Sequence, residues 1–140
     1  MLESGFRKSM KTEETRQLVQ HWLSLAGSGN VEGAMALFAE DAVWTNIGST
    51  KFSGDFVGLK AITEDLLAPL FGALEDGIHS EVESVIADGE QAVVLSRGAA
   101  RTRSGVEYNN SYAQVFTVRG GKIVSVREYM DTALIDRVFA

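Results

Sequence analysis

The segment Tyr108–Asp131 constrains the fold most strongly, because it has the pattern of two strands joined at Gly120–Gly121. Two glycines between strand-like runs favour a tight β-hairpin, since the central residues of such a turn often need positive φ angles. One predicted face of the first strand carries Asn110, Tyr112, Gln114, Phe116 and Val118. This face therefore changes from polar to apolar along the strand.

A single carboxylate interrupts one face of the second strand. We expect this face to be concave, with Val124, Val126, Glu128 and Met130 on it and Ile123, Arg127, Tyr129 and Asp131 opposite. An acid on an apolar stripe, beside a strand that offers Asn, Tyr and Gln, suits a small-molecule pocket inside a curved sheet. A structural acid with a hydrogen-bonding partner fits the same pattern, so both interpretations of Glu128 stay open.

Composition excludes several classes of protein. The 140 residues fit one domain, and the net charge of -6 without a basic run disfavours nucleic-acid binding. The absence of cysteine excludes disulfides and thiolate chemistry, and His21 and His79 lack the spacing of metal ligands. Without a P-loop, a G-x-G-x-x-G or a G-x-S-x-G motif, we expect no nucleotide or flavin, and indeed no cofactor and no metal.

No apolar run has the length of a membrane span, and the first residues lack the apolar stretch of a signal peptide. We therefore expect a cytoplasmic protein without membrane contact. Residues 1–11 are predicted to be a flexible extension before a single domain formed by residues 12–140.

The first half of the chain predicts helices followed by a strand. Thr12, with two glutamates after it, is typical of a helix start, and the glycines at 27 and 29 end that helix. Asn30 is expected to cap a second helix that extends through Phe38. A strand follows in which Ala42, Trp44 and Asn46 share a face.

The middle of the chain predicts a loop, a helix and two strands. The glycine-rich segment 48–58 is interpreted as a loop over a pocket mouth, and residues 59–74 as a helix that Pro69 kinks or shortens. Two strands then turn at Asp88–Gly89, with another turn near Ser104–Gly105. On the second of these strands, Arg97 is expected to share a face with Val93, Leu95 and Ala99. The predicted fold is α+β, a cone in which three N-terminal helices pack on a strongly curved, mainly antiparallel sheet around a pocket.

Three segments together resemble the NTF2-like superfamily, specifically its SnoaL-like branch, which is related to polyketide cyclases and ketosteroid isomerases. They are SGNVEGAMALFAEDAVWTN, FVGLKAI and YNNSYAQVFTVRGGKIVSVREYMD, and the resemblance extends from about Thr12 to the end of the chain. It implies the cone fold, an internal cavity and a homodimer formed through the convex face. It does not imply one reaction, because this superfamily includes isomerases, epoxide hydrolases, cyclases and members without known chemistry.

Two enzyme groups of the superfamily differ from this chain at most of their catalytic positions. Steroid isomerases have an Asp base on the first strand, a Tyr in the first helix and a second acid on the penultimate strand. This chain has Asn46, Trp22 and Gln114 at those positions, so that isomerase chemistry is not implied.

Limonene epoxide hydrolases have a Tyr and an Asn on the first strand, an Arg-x-Asp on a middle strand and a final Asp. Asn46 matches, Trp44 replaces the Tyr, and Glu128 takes the last acid position. Leu95 and Arg97 occupy the Arg-x-Asp places.

These comparisons and the strand patterns lead to one candidate site. Its predicted catalytic residues are Glu128 for proton transfer and Asn46 and Tyr112 as hydrogen-bond donors, unless these side chains only satisfy one another. The predicted ligand-binding residues are Trp22, Trp44, Arg97, Asn110, Gln114, Phe116, Val126 and Met130. Arg97 is expected either to form a structural ion pair with Glu128 or to face it across a ligand.

The predicted function is a cofactor-independent isomerase, cyclase or hydrolase acting on a small apolar, oxygen-bearing substrate. The alternative is a non-catalytic ligand-binding or dimeric assembly module of the same fold. The expected partners are a small apolar or aromatic ligand and a second copy of the chain.

Overall fold

The computed structural model of the protein describes residues 2–140. Its helices are α1 (Leu2–Gly27), α2 (Val31–Met35), α3 (Leu59–Ala61), α4 (Ala68–Gly72) and α5 (Thr132–Phe139), with a π-helical segment, Ile62–Leu67, between α3 and α4. Its strands are β1 (Phe38–Asn46), β2 (Gly54–Val57), β3 (His79–Asp88), β4 (Gln91–Ala99), β5 (Ser111–Arg119) and β6 (Lys122–Met130). The predicted α+β fold class is confirmed.

The strands form one six-stranded, curved and unclosed sheet in the order β2-β1-β6-β5-β4-β3. β1 runs parallel to β6, and the other neighbours are antiparallel. The predicted hairpin joins β5 to β6 at Gly120 and Gly121, whose φ angles are 60° and 74°. Register shifts interrupt the β1–β6, β3–β4 and β5–β6 pairings. Such bulges bend and twist a sheet, which accounts for its curvature.

The first helix is longer than the sequence pattern indicated. It begins at Leu2, so the prediction of a helix start at Thr12 is wrong, whereas the predicted end at Gly27 is confirmed. The Thr12 hydroxyl accepts a hydrogen bond from the Gly89 N–H at 2.8 Å, and the Thr15 hydroxyl donates to the Gly89 carbonyl at 2.7 Å. Thr12 therefore links α1 to the β3–β4 turn by a hydrogen bond and does not cap the helix. The flexibility of residues 1–11 stays a prediction.

The second helix is shorter than predicted. Asn30 caps it as expected, accepting from the Gly33 N–H at 2.9 Å, but α2 ends at Met35 and Phe38 is the first residue of β1. Phe38 is extended and not helical because pairing of β1 with β6 satisfies the backbone hydrogen-bonding groups and places the Phe38 side chain in the core.

The segment between β1 and β3 differs in detail from the prediction. Residues 54–57 of the predicted loop form β2, an edge strand paired with β1. The predicted helix is present from residue 59 to 72 but contains the π-helical segment just before Pro69. Proline has no N–H to continue the regular ladder, and the Ala68 N–H instead reaches the Thr63 carbonyl five residues back.

The inward face of β4 is the opposite of the predicted one. Ala92, Val94, Ser96 and Gly98 are buried, whereas Leu95, Arg97 and Ala99 are exposed. A Cβ atom on Gly98 would lie 2.9 Å from the Tyr112 ring and 2.8 Å from Ile78, so only glycine allows this close approach. The face with the small residues turns inward because bulky side chains of neighbouring elements occupy the space over it.

A bulge also changes the start of β6. The pairing shifts between Thr117 and Val118, and Ile123 is fully buried in the core while Val124 is half-buried. The predicted inward position of Val124 and outward position of Ile123 are therefore wrong. Beyond the bulge, Val126 is buried and Arg127 and Tyr129 are exposed, as predicted.

A helix that the sequence analysis did not predict closes one end of the sheet. Asp131 caps α5 by accepting from the Leu134 N–H at 3.3 Å, and Ile135 is buried in the core. Phe139 packs its ring edge-on against Tyr108, with a centroid distance of 5.0 Å. At the other end, Trp22 of α1 contacts Phe116 at 5.2 Å between ring centroids and joins the helix layer to the sheet. Within the described residues, no helix combines the length and apolar character needed to cross a membrane.

Candidate functional site

Side chains of neighbouring strands form rows across the concave face of the sheet. The paired residues of the three rows are Ala92, Phe116, Val126 and Trp44, then Val94, Gln114, Glu128 and Asn46, then Ser96, Tyr112 and Met130. The first row is wholly buried. The second contains a carboxylate flanked on each side by an amide, and the third contains the hydroxyls of Ser96 and Tyr112, so the polar groups lie in the two rows next to the buried one.

A cavity of about 350 Å³ lies between these polar rows and the helices. Its helical walls are mainly apolar and include Trp22, Leu23, Met35, Leu66, Leu67 and Leu70. Its sheet wall and ends include Trp44, Asn46, Phe52, Ser96, Tyr108, Tyr112, Gln114, Glu128, Met130 and Ile135. The volume and the few convergent polar groups are typical of a site for one small organic molecule.

Glu128 is the one carboxylate among the described residues that line this cavity. Gln114 Nε2 donates a hydrogen bond to Glu128 Oε1 at 2.9 Å, and within residues 3–140 no donor binds the second carboxylate oxygen. Burial raises the pKa of the Glu128 carboxyl to about 7, and the hydrogen bond from Gln114 opposes this rise only in part. Glu128 therefore changes protonation state near neutral pH.

Arg97 does not belong to the site. Its side chain is 63% exposed on the outer face of β4 and forms an ion pair with Glu83, with 3.3 Å between Nε and Oε1. The prediction that Arg97 faces Glu128 is wrong, because β4 has the opposite inward face. Among the described residues, no ion pair involves Glu128, so its charge is not compensated by a structural cation.

Asn46 is held rigidly beside Glu128. Its Oδ1 accepts from the Trp44 indole N–H at 2.9 Å, and its Nδ2 donates to the Phe52 carbonyl at 2.9 Å. These bonds fix the amide and the indole ring in the cavity wall. The second Nδ2 hydrogen of Asn46 takes part in neither of these bonds, because an amide nitrogen carries two hydrogens.

Tyr112 and Tyr108 form a hydroxyl pair at the same cavity. The Tyr112 hydroxyl donates to the Tyr108 hydroxyl at 3.3 Å, and both residues line the cavity wall. Burial, together with the nearby Glu128, raises the pKa of Tyr108, and burial with the adjacent Tyr108 raises that of Tyr112 well above its usual range. Both phenols are therefore neutral hydrogen-bond donors at any physiological pH.

The predicted site residues are brought together only in part. Those that line the cavity are Trp22, Trp44, Asn46, Tyr112, Gln114, Glu128 and Met130. Phe116 and Val126 lie beneath it in the core. Asn110 is 2% exposed and bridges the start of β5 to Asp131 through hydrogen bonds of 3.0 Å in each direction.

Sequence reasoning missed four polar residues of the cavity, the buried Tyr108 and Ser96 and the exposed His79 and Ser80. Tyr108 continues the alternation of Tyr112 and Asn110 by one step before the strand, so extending that pattern would have found it. Ser96 was missed because the inward face of β4 was assigned to its neighbours. The sequence of β4 has apolar residues at both alternate sets, so period alone does not select the face.

Helices packed on a curved, open sheet, with a cavity between them that contains one carboxylate, define an NTF2-like α+β protein. The model of the SnoaL-like domain matches residues 19–126. The chain therefore belongs to the SnoaL-like domain family, and the resemblance noted in the sequence is confirmed. No curated protein sequence matches the chain.

Solved structures agree with this assignment. Bal32a, from a soil-derived mobile gene cassette, is 21% identical with a TM-score of 0.83, and the match covers 93% of this chain and 99% of Bal32a. An NTF2-like protein from Burkholderia xenovorans is 26% identical with a TM-score of 0.74, covering 94% and 99% of the two chains. TerC, co-crystallised with polyporic acid, is 18% identical with a TM-score of 0.78, covering 89% and 97%. Further matches have SnoaL-like polyketide cyclase and ketosteroid isomerase-like folds.

Proposed function

We propose that this protein is a cofactor-independent enzyme that transfers a proton on a small apolar, oxygen-bearing substrate, with Glu128 as the acid or base. The observation that carries the proposal is the position of Glu128. One carboxylate oxygen is held by Gln114, and the other has no donor within residues 3–140, at the wall of a cavity of about 350 Å³. A fixed acid with one unoccupied oxygen is suited to accept a proton from a bound molecule.

The protonation state of Glu128 supports this role. Because burial raises its pKa to about 7, the carboxylate is a stronger base than an ordinary glutamate and is still largely ionised at slightly alkaline pH. Its conjugate acid is available in the same pH range to return the proton. One residue is thus able to act first as base and then as acid.

The walls of the cavity indicate the nature of the substrate. Trp22 and Trp44 lie 6.2 Å apart between ring centroids and both line the cavity, next to leucines of the π-helical segment. Such walls favour a flat apolar molecule. The co-crystal of TerC with polyporic acid adds support from a protein of the same fold.

The chemistry requires only a proton acceptor and hydrogen-bond donors. Glu128 removes a proton from a carbon next to a carbonyl group, the electron pair moves onto the oxygen, and the Glu128 acid returns the proton to the same or another carbon. In a β,γ-unsaturated ketone, return of the proton to the γ-carbon is an isomerisation. Attack of the enolate carbon on a second carbonyl of the substrate is a cyclisation, in which the Glu128 acid protonates the alkoxide that forms. Asn46 has a role in positioning here, since its bonds fix the wall beside Glu128.

Deuterium exchange tests this proposal directly. The protein is incubated in D₂O with a panel of aromatic methyl and methylene ketones, and α-deuteration is followed by proton NMR. We expect catalysed exchange by the wild type, loss of exchange in Glu128→Gln, and wild-type rates in the control Glu64→Gln, which changes an exposed residue of the π-helical segment.

Exchange that persists in Glu128→Gln would contradict the assignment of Glu128. Ketone binding without exchange across the panel would instead favour the alternative, a non-catalytic ligand-binding or assembly module.

The outer face of the sheet is proposed as the site of homodimer formation. Tyr129 and Leu95 are 41% and 37% exposed there, beside the ion pair of Arg97 with Glu83. Exposed apolar groups surrounded by charged side chains suit a two-fold contact between identical surfaces.

A further inference from the structure

We propose that Tyr108 and Ser96 form an oxygen-binding subsite in the cavity and that the substrate is therefore a carbonyl compound whose oxygen accepts hydrogen bonds from both hydroxyls. This inference rests on the proposed function and specifies its substrate class. The inference is based on which hydrogen bonds Tyr108 and Ser96 make with neighbouring residues and which of their donors remain unused.

Asn110 determines the direction of the bonds around Tyr108. Its Oδ1 accepts from the backbone N–H groups of Ser111 at 2.8 Å and Asp131 at 3.0 Å. A backbone N–H only donates, so this orientation of the amide is the one that satisfies both groups. Asn110 Nδ2 must therefore donate, and its acceptors are the Asp131 carbonyl at 3.0 Å and the Tyr108 hydroxyl at 3.1 Å.

The Tyr108 hydroxyl accepts a second hydrogen bond, from Tyr112 at 3.3 Å. With two bonds accepted, the oxygen retains only its own hydrogen to donate, and no acceptor for that hydrogen lies among residues 3–140. Tyr108 is only 3% exposed, so bulk water has little access to it. A buried donor without an acceptor is costly, and the oxygen of a ligand in the cavity would satisfy it.

Ser96 is the second buried hydroxyl of the subsite. It is 7% exposed, lines the cavity, and in the described part of the chain its side chain makes no hydrogen bond. Ser96 is paired directly with Tyr112 across β4 and β5. Ser96 and Tyr112 therefore share one row of the sheet, next to the row that contains Glu128.

A carbonyl oxygen fits these two donors because it accepts hydrogen bonds and donates none. The raised pKa of each phenol supports this assignment, since neutral phenols keep the hydrogen that they donate. When Glu128 removes a proton next to the carbonyl group, negative charge develops on that oxygen. The two donors are then bound to the atom whose charge increases, which lowers the barrier to proton transfer.

The test compares two ligands that differ only in the carbonyl group, 2-acetylnaphthalene and 2-ethylnaphthalene. Dissociation constants are measured from the fluorescence of Trp22 and Trp44, both of which line the cavity. We expect the wild type to bind the ketone about tenfold more tightly than the hydrocarbon, as one or two net hydrogen bonds provide.

The informative variants are Ser96→Ala and the double variant Tyr108→Phe with Tyr112→Phe. The double change is needed because Tyr108→Phe alone would release the Tyr112 hydroxyl to take its place. The matched control is Tyr129→Phe, which removes a hydroxyl from the exposed outer face.

In the double variant and in Ser96→Ala alike, the preference for the ketone should fall from about tenfold to about threefold, because each variant leaves the other donor in place. Tyr129→Phe should leave the preference unchanged. An unchanged preference in the double variant, or a wild type that does not prefer the ketone, would overturn the proposal, and an unchanged preference in Ser96→Ala would remove that residue from the subsite.

Two further measurements keep these results interpretable. Thermal unfolding shows whether each variant is folded, and Ser96→Ala tests the subsite even if the double variant does not fold. Glu128→Gln should retain the ketone preference while it loses deuterium exchange, so failure of the subsite and failure of the proposed proton transfer are distinguishable.

Discussion

Replacing Glu128 by glutamine should change how the stability of the protein depends on pH. The carboxyl has a pKa of about 7 in the folded protein, compared with 4.5 for an unperturbed glutamate, because burial disfavours its charged form. Between these two values the folded state binds more protons than the unfolded state, so stability decreases as the pH rises. The glutamine side chain has nearly the same volume and does not titrate.

The expected magnitude follows from this difference in pKa. At about 1.4 kcal/mol per pH unit, ionising Glu128 costs the folded state at most about 3 kcal/mol above pH 7. This contribution is absent below pH 4.5 and is complete above pH 7. Glu128→Gln should therefore match the wild type at pH 4 and exceed its free energy of unfolding by up to about 3 kcal/mol at pH 8.

Chemical and thermal unfolding at intervals from pH 4 to pH 8 measure the effect. Only the difference between variant and wild type is informative, because other groups titrate in both proteins. For a domain of this size, the melting temperatures should separate by at most roughly 10 °C at high pH. The control Glu64→Gln, at an exposed position, should show no such separation.

A difference that does not vary with pH would refute the reasoning, as would a variant that is less stable than the wild type at pH 8. The latter result would mean that a partner stabilises the charged carboxylate. Arg97 is not that partner, since it pairs with Glu83 on the outer face.

Three further substitutions give separate predictions. Gln114→Leu removes the hydrogen bond that favours the charged form of Glu128, so the pKa of Glu128 measured by NMR titration should rise, and a fall would contradict the assignment. Arg97→Ala should leave ligand binding unchanged and cost at most about 1 kcal/mol of unfolding free energy in denaturant titrations, because its pair with Glu83 is exposed. Tyr129→Glu, which adds a charge to the proposed dimer surface, should shift a dimer towards monomer in sedimentation velocity, and an unchanged dimer would exclude that surface.

The sequence alone was sufficient for the features that local physical chemistry decides. Gly120 and Gly121 specified the β5–β6 hairpin because both residues need positive φ angles. Ala42, Trp44 and Asn46 were correctly placed on one buried face, since a strand alternates its side chains and the opposite set is more polar. The same rule placed Glu128 inward.

Long-range packing decided the remaining features, and the sequence pattern was ambiguous at each of them. Both faces of β4 carry apolar residues, and the need for Gly98 beside Tyr112 selected the inward one. Thr12 and the two glutamates after it resembled a helix start. The Thr12 hydroxyl instead accepts a hydrogen bond from the N–H of Gly89, which is distant in sequence.

The polar groups of the cavity depended most on tertiary structure. Whether a buried hydroxyl or carboxylate already has a partner is determined by residues that only the fold brings near it. Asn110 is fully used by its hydrogen bonds with Asp131, Ser111 and Tyr108, whereas Ser96 and one oxygen of Glu128 have no hydrogen-bond partner among residues 3–140. The sequence thus determined which residue types face the cavity on β5 and β6, and the tertiary structure decided which of them are available to a ligand, because hydrogen-bond satisfaction depends on neighbours that are distant in the chain.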